Sequence, residues 1–240
     1  MPVKKIIIIG SSSGLGKELA IIYAQQDHKV AITGRRQDLL EELRMNYPNN
    51  IIISAFDVTA GNNQQQINSL IQKLGGLDLL IYSAGYGDPS LELIPETEQM
   101  TTLTNVNGFV EIVGYAFNYF VQQGNGHIVL ISSISALRGN SWTPAYSASK
   151  AFISNYAEGL SIKARKLKKN ISITDIKPGF IATKMAKGNK QFWVAPVHKA
   201  ALQIAKAIEK KKRVAYVSKR WWLVAQVMKW LPYSIYKRMA

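Results

Sequence analysis

The segment Tyr146-Ser147-Ala148-Ser149-Lys150 sets a phenol and an ammonium four residues apart. On a helix those two side chains share a face. A tyrosine that gives or takes a proton near neutral pH must be helped, because its ordinary pKa is about 10. A neighbouring ammonium favours the phenolate and supplies that help. Thirteen residues before Tyr146 stands Ser133, at the end of the apolar run that begins at Ile128. A hydroxyl at the carboxyl end of a strand lies where open α/β sheets receive ligands, and it can hold a carbonyl oxygen. Together the three groups suit proton transfer to a carbonyl oxygen or from an alcohol.

A second cluster lies near the amino terminus. Gly10-Ser11-Ser12-Ser13-Gly14-Leu15-Gly16 follows an isoleucine run and precedes an amphipathic stretch. Glycines permit a tight turn and close backbone approach, and the helix that follows adds the positive end of its dipole, so the turn suits a pyrophosphate. At the end of the next strand a dinucleotide fold commonly carries an acidic residue for the ribose 2′-hydroxyl. This chain has Ala31-Ile32-Thr33-Gly34-Arg35-Arg36 there. Two guanidinium groups suit a 2′-phosphate, which favours NADP(H) over NAD(H) as the cofactor.

These residues need a scaffold, and the pattern of the chain provides one. Short apolar, β-branched runs at 3–9, 29–33, 51–56, 77–82, 126–132, 171–177 and 213–217 read as strands. Helices are expected at 15–26, 37–46, 61–74, 96–123, 145–169 and 196–211. A run such as Ile6-Ile7-Ile8-Ile9 fits a strand buried on both faces. Regular alternation of strand and helix predicts an α/β fold, a Rossmann-like doubly wound parallel sheet of about seven strands with helices on both faces. Residues 1–217 form one catalytic domain in this reading, and 218–240 a basic amphipathic extension.

The combination resembles the short-chain dehydrogenase/reductase family in its single-domain form. Gly10, Gly14 and Gly16 match the family's cofactor turn, and Ser133, Tyr146 and Lys150 its catalytic motif. Pro178-Gly179 match its turn after the sixth strand. The similarity runs from residue 3 to 185 and, with helix 196–211 and strand 213–217, extends to 217. It implies that Asn105 is the family's structural and proton-relay asparagine, selected over Asn107 by its spacing to Gly108. It implies adenine contacts from Asp57 and Val58, a threonine near the nicotinamide and pyrophosphate at Thr183, and a carboxamide anchor in the backbone of Ile181. Ser12, Ser13, Leu15, Ala84 and Gly85 fall at cofactor-lining positions. The chain departs from the family pattern at Ile9, where Thr is usual, and at Tyr82-Ser83, where Asn-Asn is usual. The activity implied is hydride transfer between NADP(H) and a carbonyl or secondary alcohol. A 3-oxoacyl thioester on an acidic carrier is an alternative substrate, and a non-catalytic dinucleotide sensor or membrane scaffold an alternative role.

Charge and composition bound the rest. There is no cysteine, so disulfides, thiolate metal sites and a cysteine nucleophile are excluded. His28, His127 and His198 are scattered, without metal-ligand spacing, and read as surface or strand-end residues; no metal is expected. Residues 1–162 carry 10 basic and 13 acidic side chains, whereas 163–240 carry 20 and 2. Positive charge confined to the last third, without a recognition module, argues against nucleic acid and for a local anionic partner. No secretory signal or spanning segment is expected, which points to a cytoplasmic protein, peripheral on the inner face of a membrane if its tail binds lipid.

The family resemblance implies that residues 184–195 cover the substrate, with Met185, Phe192 and Trp193 as apolar contacts and Lys184, Lys187 and Lys190 nearby; alternatively Phe192 and Trp193 dock the loop on the core. That composition suits a hydrophobic, lipid-like substrate. Trp221–Leu231 has only Gln226 and Lys229 as polar side chains. Residues 219–240 therefore suit an anionic membrane surface, a partner subunit in a homodimer or homotetramer, or packing over the chain's own active site.

Overall fold

The computed structural model describes residues 2–183 and 192–238. The strands are β1 (Lys5–Ile9), β2 (Lys29–Gly34), β3 (Ile51–Ala55), β4 (Leu79–Tyr82), β5 (Asn125–Ile131), β6 (Asn170–Pro178) and β7 (Val214–Val217). They form one parallel sheet in the order β3-β2-β1-β4-β5-β6-β7. The order reverses between β1 and β4, so a crevice opens at the carboxyl ends of those strands. The helices are α1 (Gly14–Gln25), α2 (Gln37–Asn46), α3 (Asn63–Leu74), α4 (Pro95–Thr102), α5 (Gly108–Gln123), α6 (Pro144–Lys166), α7 (Val197–Glu209), α8 (Trp221–Trp230) and α9 (Tyr233–Tyr236).

Successive side chains of a strand point to opposite faces, so a strand covered on both sides must be apolar throughout. Ile6 and Ile8 enter one core with Leu19 of α1, Leu40 of α2 and Ile204 of α7. Ile7 and Ile9 enter the other with Ile67 of α3, Phe109 of α5 and Ile153 of α6. All four isoleucines are fully buried. Ile9, one of the departures from the family pattern, is simply a core residue paired with Tyr82. His28 precedes β2 and His127 lies within β5 rather than at its end; both are buried, and His127 is bonded to the Thr174 hydroxyl at 2.8 Å. His198 is exposed beside Glu18.

The single helix expected over 96–123 is divided. Between α4 and α5 the chain makes a π turn, Leu103–Asn107. Tyr82 accounts for the hold on that turn. Its hydroxyl donates to the Thr104 carbonyl at 3.0 Å, and its ring meets Phe109 edge-on at 5.1 Å. The extra residue in the turn carries Asn105 into the interior.

The tail folds back on the domain. Trp221 and Ala225 of α8 pack with Ile134, Leu137, Phe180 and Tyr216. Arg138, after a short 3₁₀ turn (Ile134–Leu137), donates to the carbonyls of Met228 and Leu231 at 3.0 and 2.9 Å. Those carbonyls belong to the end of α8, where no further helical donor exists. The same guanidinium lies over the Tyr236 ring, whose hydroxyl donates to the Gly139 carbonyl. The loop between β5 and α6 is thus joined to the tail. Among the described residues, no helix is long and apolar enough to cross a membrane.

Candidate active site

The glycine turn links β1 to α1 with little room for side chains. Gly10 has φ +84°, and a Cβ there would stand 2.6 Å from the Ala84 backbone, which brings the Ala84-Gly85 loop against the turn. A Cβ on Gly16 would lie 2.1 Å from the Gly10 carbonyl oxygen. Gly14 faces the Thr183 methyl group. Ser11 is turned inward and donates to the Ile8 carbonyl at 2.8 Å, and Leu15 packs on the core. Ser13 precedes α1 without capping it by its side chain, which leaves the N–H groups of the first turn for an anion.

Arg36 reaches this turn and donates to the hydroxyls of Ser12 and Ser13 at 2.8 and 2.9 Å. Arg35 turns away to Asp57, with an N–O separation of 3.7 Å. Asp57 in turn accepts from the backbone and hydroxyl of Thr59, both at 2.9 Å. The Val58 carbonyl accepts from Asn63 at 2.8 Å and presses on Gly108. The two arginines predicted to act together therefore divide. Arg36 stands over the phosphate turn, and Arg35 stands beside the expected adenine contact. A glycine cradle, an uncapped helix start and a guanidinium above it fit a dinucleotide bearing a 2′-phosphate.

The reacting groups meet at the carboxyl end of β5 and the start of α6. Lys150 is buried, donates to the Ile131 carbonyl at 3.0 Å, and lies 5.5 Å from the centre of the Tyr146 ring. Burial lowers its pKa from 10.5 to about 8, with the Asp175 carboxylate acting in the opposite direction. Ser133 is buried and extended, and its oxygen accepts from the Ser135 N–H at 3.1 Å. The Tyr146 phenol is raised above its ordinary value by loss of water, while its hydrogen bond with Ser133 pulls it down. The sequence leads one to expect a phenol lowered by Lys150. Loss of water is the larger of the two effects on the phenol here, and it acts in the opposite direction to that expectation.

Asn105 is buried and clamps two neighbours. Its amide oxygen accepts from the Tyr86 N–H at 2.8 Å. Its amide nitrogen donates to the Tyr86 carbonyl at 2.7 Å and to the Ser149 hydroxyl at 2.9 Å. Asn105 therefore ties the loop after β4 to the helix carrying Tyr146 and Lys150. Gly87 in that loop lies against the phenol ring; a Cβ there would meet Tyr146 Cδ2 at 2.2 Å. Neither Gly87 nor Ser149 is prominent in the motifs.

A buried polar line also escapes the motif reading. Ser132 donates to Asp175, which pairs with Lys177 at 2.8 Å, and Lys177 donates to Ser154. The readable sign is two opposite charges two residues apart on one strand of the buried sheet, because a buried charge requires a partner. Asp175 is also the carboxylate whose field reaches Lys150.

After β6, Pro178-Gly179 lead to Ile181, whose carbonyl accepts from the Thr183 N–H at 2.7 Å. Ile181 is buried and bridges to Ala195. Gly179 admits the Trp221 indole, which a Cβ would strike at 2.1 Å. Phe180, Phe192 and Trp193 surround that indole with ring centres 5.5, 5.0 and 6.3 Å away. The expected contacts from Met185, Lys184, Lys187 and Lys190 lie outside the described residues.

Comparison with known proteins agrees with this arrangement. The short chain dehydrogenase family model matches residues 4–192. An uncharacterized oxidoreductase of Mycobacterium tuberculosis is 31% identical over 99% of this chain and 97% of its own length. Carbonyl reductase family member 4 of Xenopus laevis is 30% identical over 78% of this chain and 80% of its own. A short-chain dehydrogenase from Sphingobium yanoikuyae, solved in complex with NADPH, has a TM-score of 0.79 at 20% identity, covering 95% of this chain and 93% of that one. From the first strand to the aromatic loop the family model follows the chain, and one relative follows it almost throughout: the protein belongs to the short-chain dehydrogenase family of oxidoreductases.

Proposed function

We propose that this protein is an NADP(H)-dependent carbonyl reductase, acting in the opposite direction as a secondary-alcohol dehydrogenase. The observation that carries this reading is geometric: the buried Lys150 Nζ lies 5.5 Å from the centre of the Tyr146 ring, with buried Ser133 just past the carboxyl end of β5. The bound dinucleotide supplies or accepts the hydride. Ser133 holds the substrate's carbonyl oxygen, and Tyr146 delivers the proton to that oxygen as charge develops on it. Lys150 steadies the phenolate that remains. Asn105 positions Tyr86 and Ser149, and thereby the wall and the helix between which the phenol sits.

The turn Gly10–Gly16 and the first turn of α1 would hold the pyrophosphate, and Arg36 the 2′-phosphate. Asp57 and Val58 would border the adenine, with Arg35 held against Asp57. Ile181, Thr183 and the Pro178-Gly179 turn would border the nicotinamide. The NADPH complex of a structural relative and the carbonyl reductase among the sequence relatives support both halves of the reading. The exposed rings of Phe192 and Trp193 favour a hydrophobic substrate. Membership of a family that typically oligomerises supports a homodimer or homotetramer.

Aldehydes, ketones and 3-oxoacyl thioesters offered with NADPH and with NADH, and read by nicotinamide absorbance, test the proposal. Turnover with NADPH well above that with NADH is expected. Arg36→Ala should weaken NADPH about tenfold or more, as loss of a charge-assisted phosphate contact does, and leave NADH little changed. Equal losses for the two cofactors would reject the role of Arg36, and no turnover in any arm would reject the reductase.

A further inference from the structure

Helix α8 is apolar on two opposite faces, and only one of them is covered. Trp221 and Ala225 are buried on the domain side. On the far side Trp222, Leu223, Val227 and Trp230 are exposed, Trp230 by 84%. Beyond Pro232 the chain exposes Tyr233 and Ile235 as well. A surface helix normally turns polar residues outward, so an outer face of this composition marks a contact. Lys219, Arg220, Lys229, Lys237 and Arg238 surround these residues and are exposed. No acidic residue follows Glu209.

Charge decides among the candidate occupants. A second copy of the same face would set one basic row against another. An anionic bilayer would meet those cations with opposite charge and receive the indoles at headgroup depth, where Trp and Tyr are favoured. Ten helical residues span about 15 Å, too short to cross a hydrocarbon core of about 30 Å, so α8 would lie in the plane of the interface.

The fold gives that contact a direction. α8 leaves the carboxyl end of β7, the end of the sheet at which Ser133 and the glycine turn lie. Trp221 is locked against Gly179 and Phe180, and Arg138 joins the end of α8 to the loop after β5. Phe192 and Trp193, beside Trp221, are exposed at the same end. We propose that the outer face of α8, with α9, docks in the interface of an anionic lipid bilayer, the substrate-receiving end of the sheet turned toward the lipid.

Flotation of the full chain with vesicles tests this. Two compositions serve, phosphatidylcholine alone and phosphatidylcholine with about one-third phosphatidylglycerol. The protein should float with the anionic vesicles at low salt and be released by high salt or on the neutral vesicles. The triple variant Trp222→Ser, Val227→Ser, Trp230→Ser spares the buried side of α8 and should bind at least tenfold more weakly. So should Lys219→Gln, Arg220→Gln, Lys229→Gln, which leaves the apolar face intact. Circular dichroism should give all three proteins the same helix content. Failure of the unaltered chain to float would overturn the proposal, as would equal flotation of folded variants. A sedimenting dimer that the triple variant dissociates, with no flotation, would assign the face to a second copy instead. Flotation reads no turnover, so its outcome is separate from that of the reductase assay.

Discussion

Tyr146 and the buried Lys150 stand side by side and respond to loss of water in opposite ways. Loss of water raises the phenol and lowers the ammonium, because in each case burial opposes the charged form. The consequence for stability has a definite sign. Below about 8 the folded and unfolded chains both carry the Lys150 proton, and folding bears the cost of burying the charge. Between about 8 and 10.5 the unfolded chain keeps a proton that the folded chain has shed, so this residue makes stability rise with pH. Tyr146 works against stability only above 10.0, where the unfolded phenol ionises and the folded one does not. Urea unfolding at pH 8 and pH 10 should show the Lys150 rise in the unaltered protein and its loss in Lys150→Met. An identical pH response in both would show that Lys150 is not the group responsible. The types and spacing of Ser133, Tyr146 and Lys150 are legible in the sequence because the chemistry admits few substitutes. The direction of the Tyr146 shift is not legible there, because it depends on burial by residues far away in the chain.

At the scale of elements, the helix pair α4 and α5 shows where periodicity misleads. Residues 96–123 read as one helix because helix-compatible residues run through the break without proline or glycine at Leu103–Asn107. The π turn is instead held from outside, by the Tyr82 hydroxyl on the Thr104 carbonyl. Tyr82 is one of the positions at which the chain departs from the family pattern, and its bulk fills the site between β4 and Phe109. Removing that hydroxyl in Tyr82→Phe should cost about 1 kcal/mol, the usual net worth of one hydrogen bond. Urea denaturation measures it, and an unchanged midpoint would mean that the turn holds itself. The polar line from Ser132 through Asp175 and Lys177 to Ser154 is a similar case. Its members lie on three elements, β5, β6 and α6, or immediately after one, and only the fold brings them together. The strands themselves were readable to within a few residues, since a sheet buried on both faces demands uninterrupted apolar runs.

Across the whole molecule, function is arranged along one end of the sheet. The glycine turn, Ser133, the Pro178-Gly179 turn and the start of α8 all follow carboxyl ends of parallel strands. The order of strands and helices was legible because alternating β and α patterns permit few right-handed solutions. How the tail meets the domain was not, because an apolar helix with a basic border fits several partners equally well from sequence. Its inner face covers Gly179 and Ile134, and its outer face remains exposed with the positive charge around it. Charge and apolar surface thus mark where the protein meets its surroundings, while the proton chemistry depends on a few groups at the mouth of the same end. That chemistry is tested most directly by Tyr146→Phe, assayed for NADPH binding by fluorescence titration and for carbonyl reduction by nicotinamide absorbance. The account predicts NADPH affinity close to that of the unaltered protein and turnover reduced to background. Turnover retained in Tyr146→Phe would contradict it.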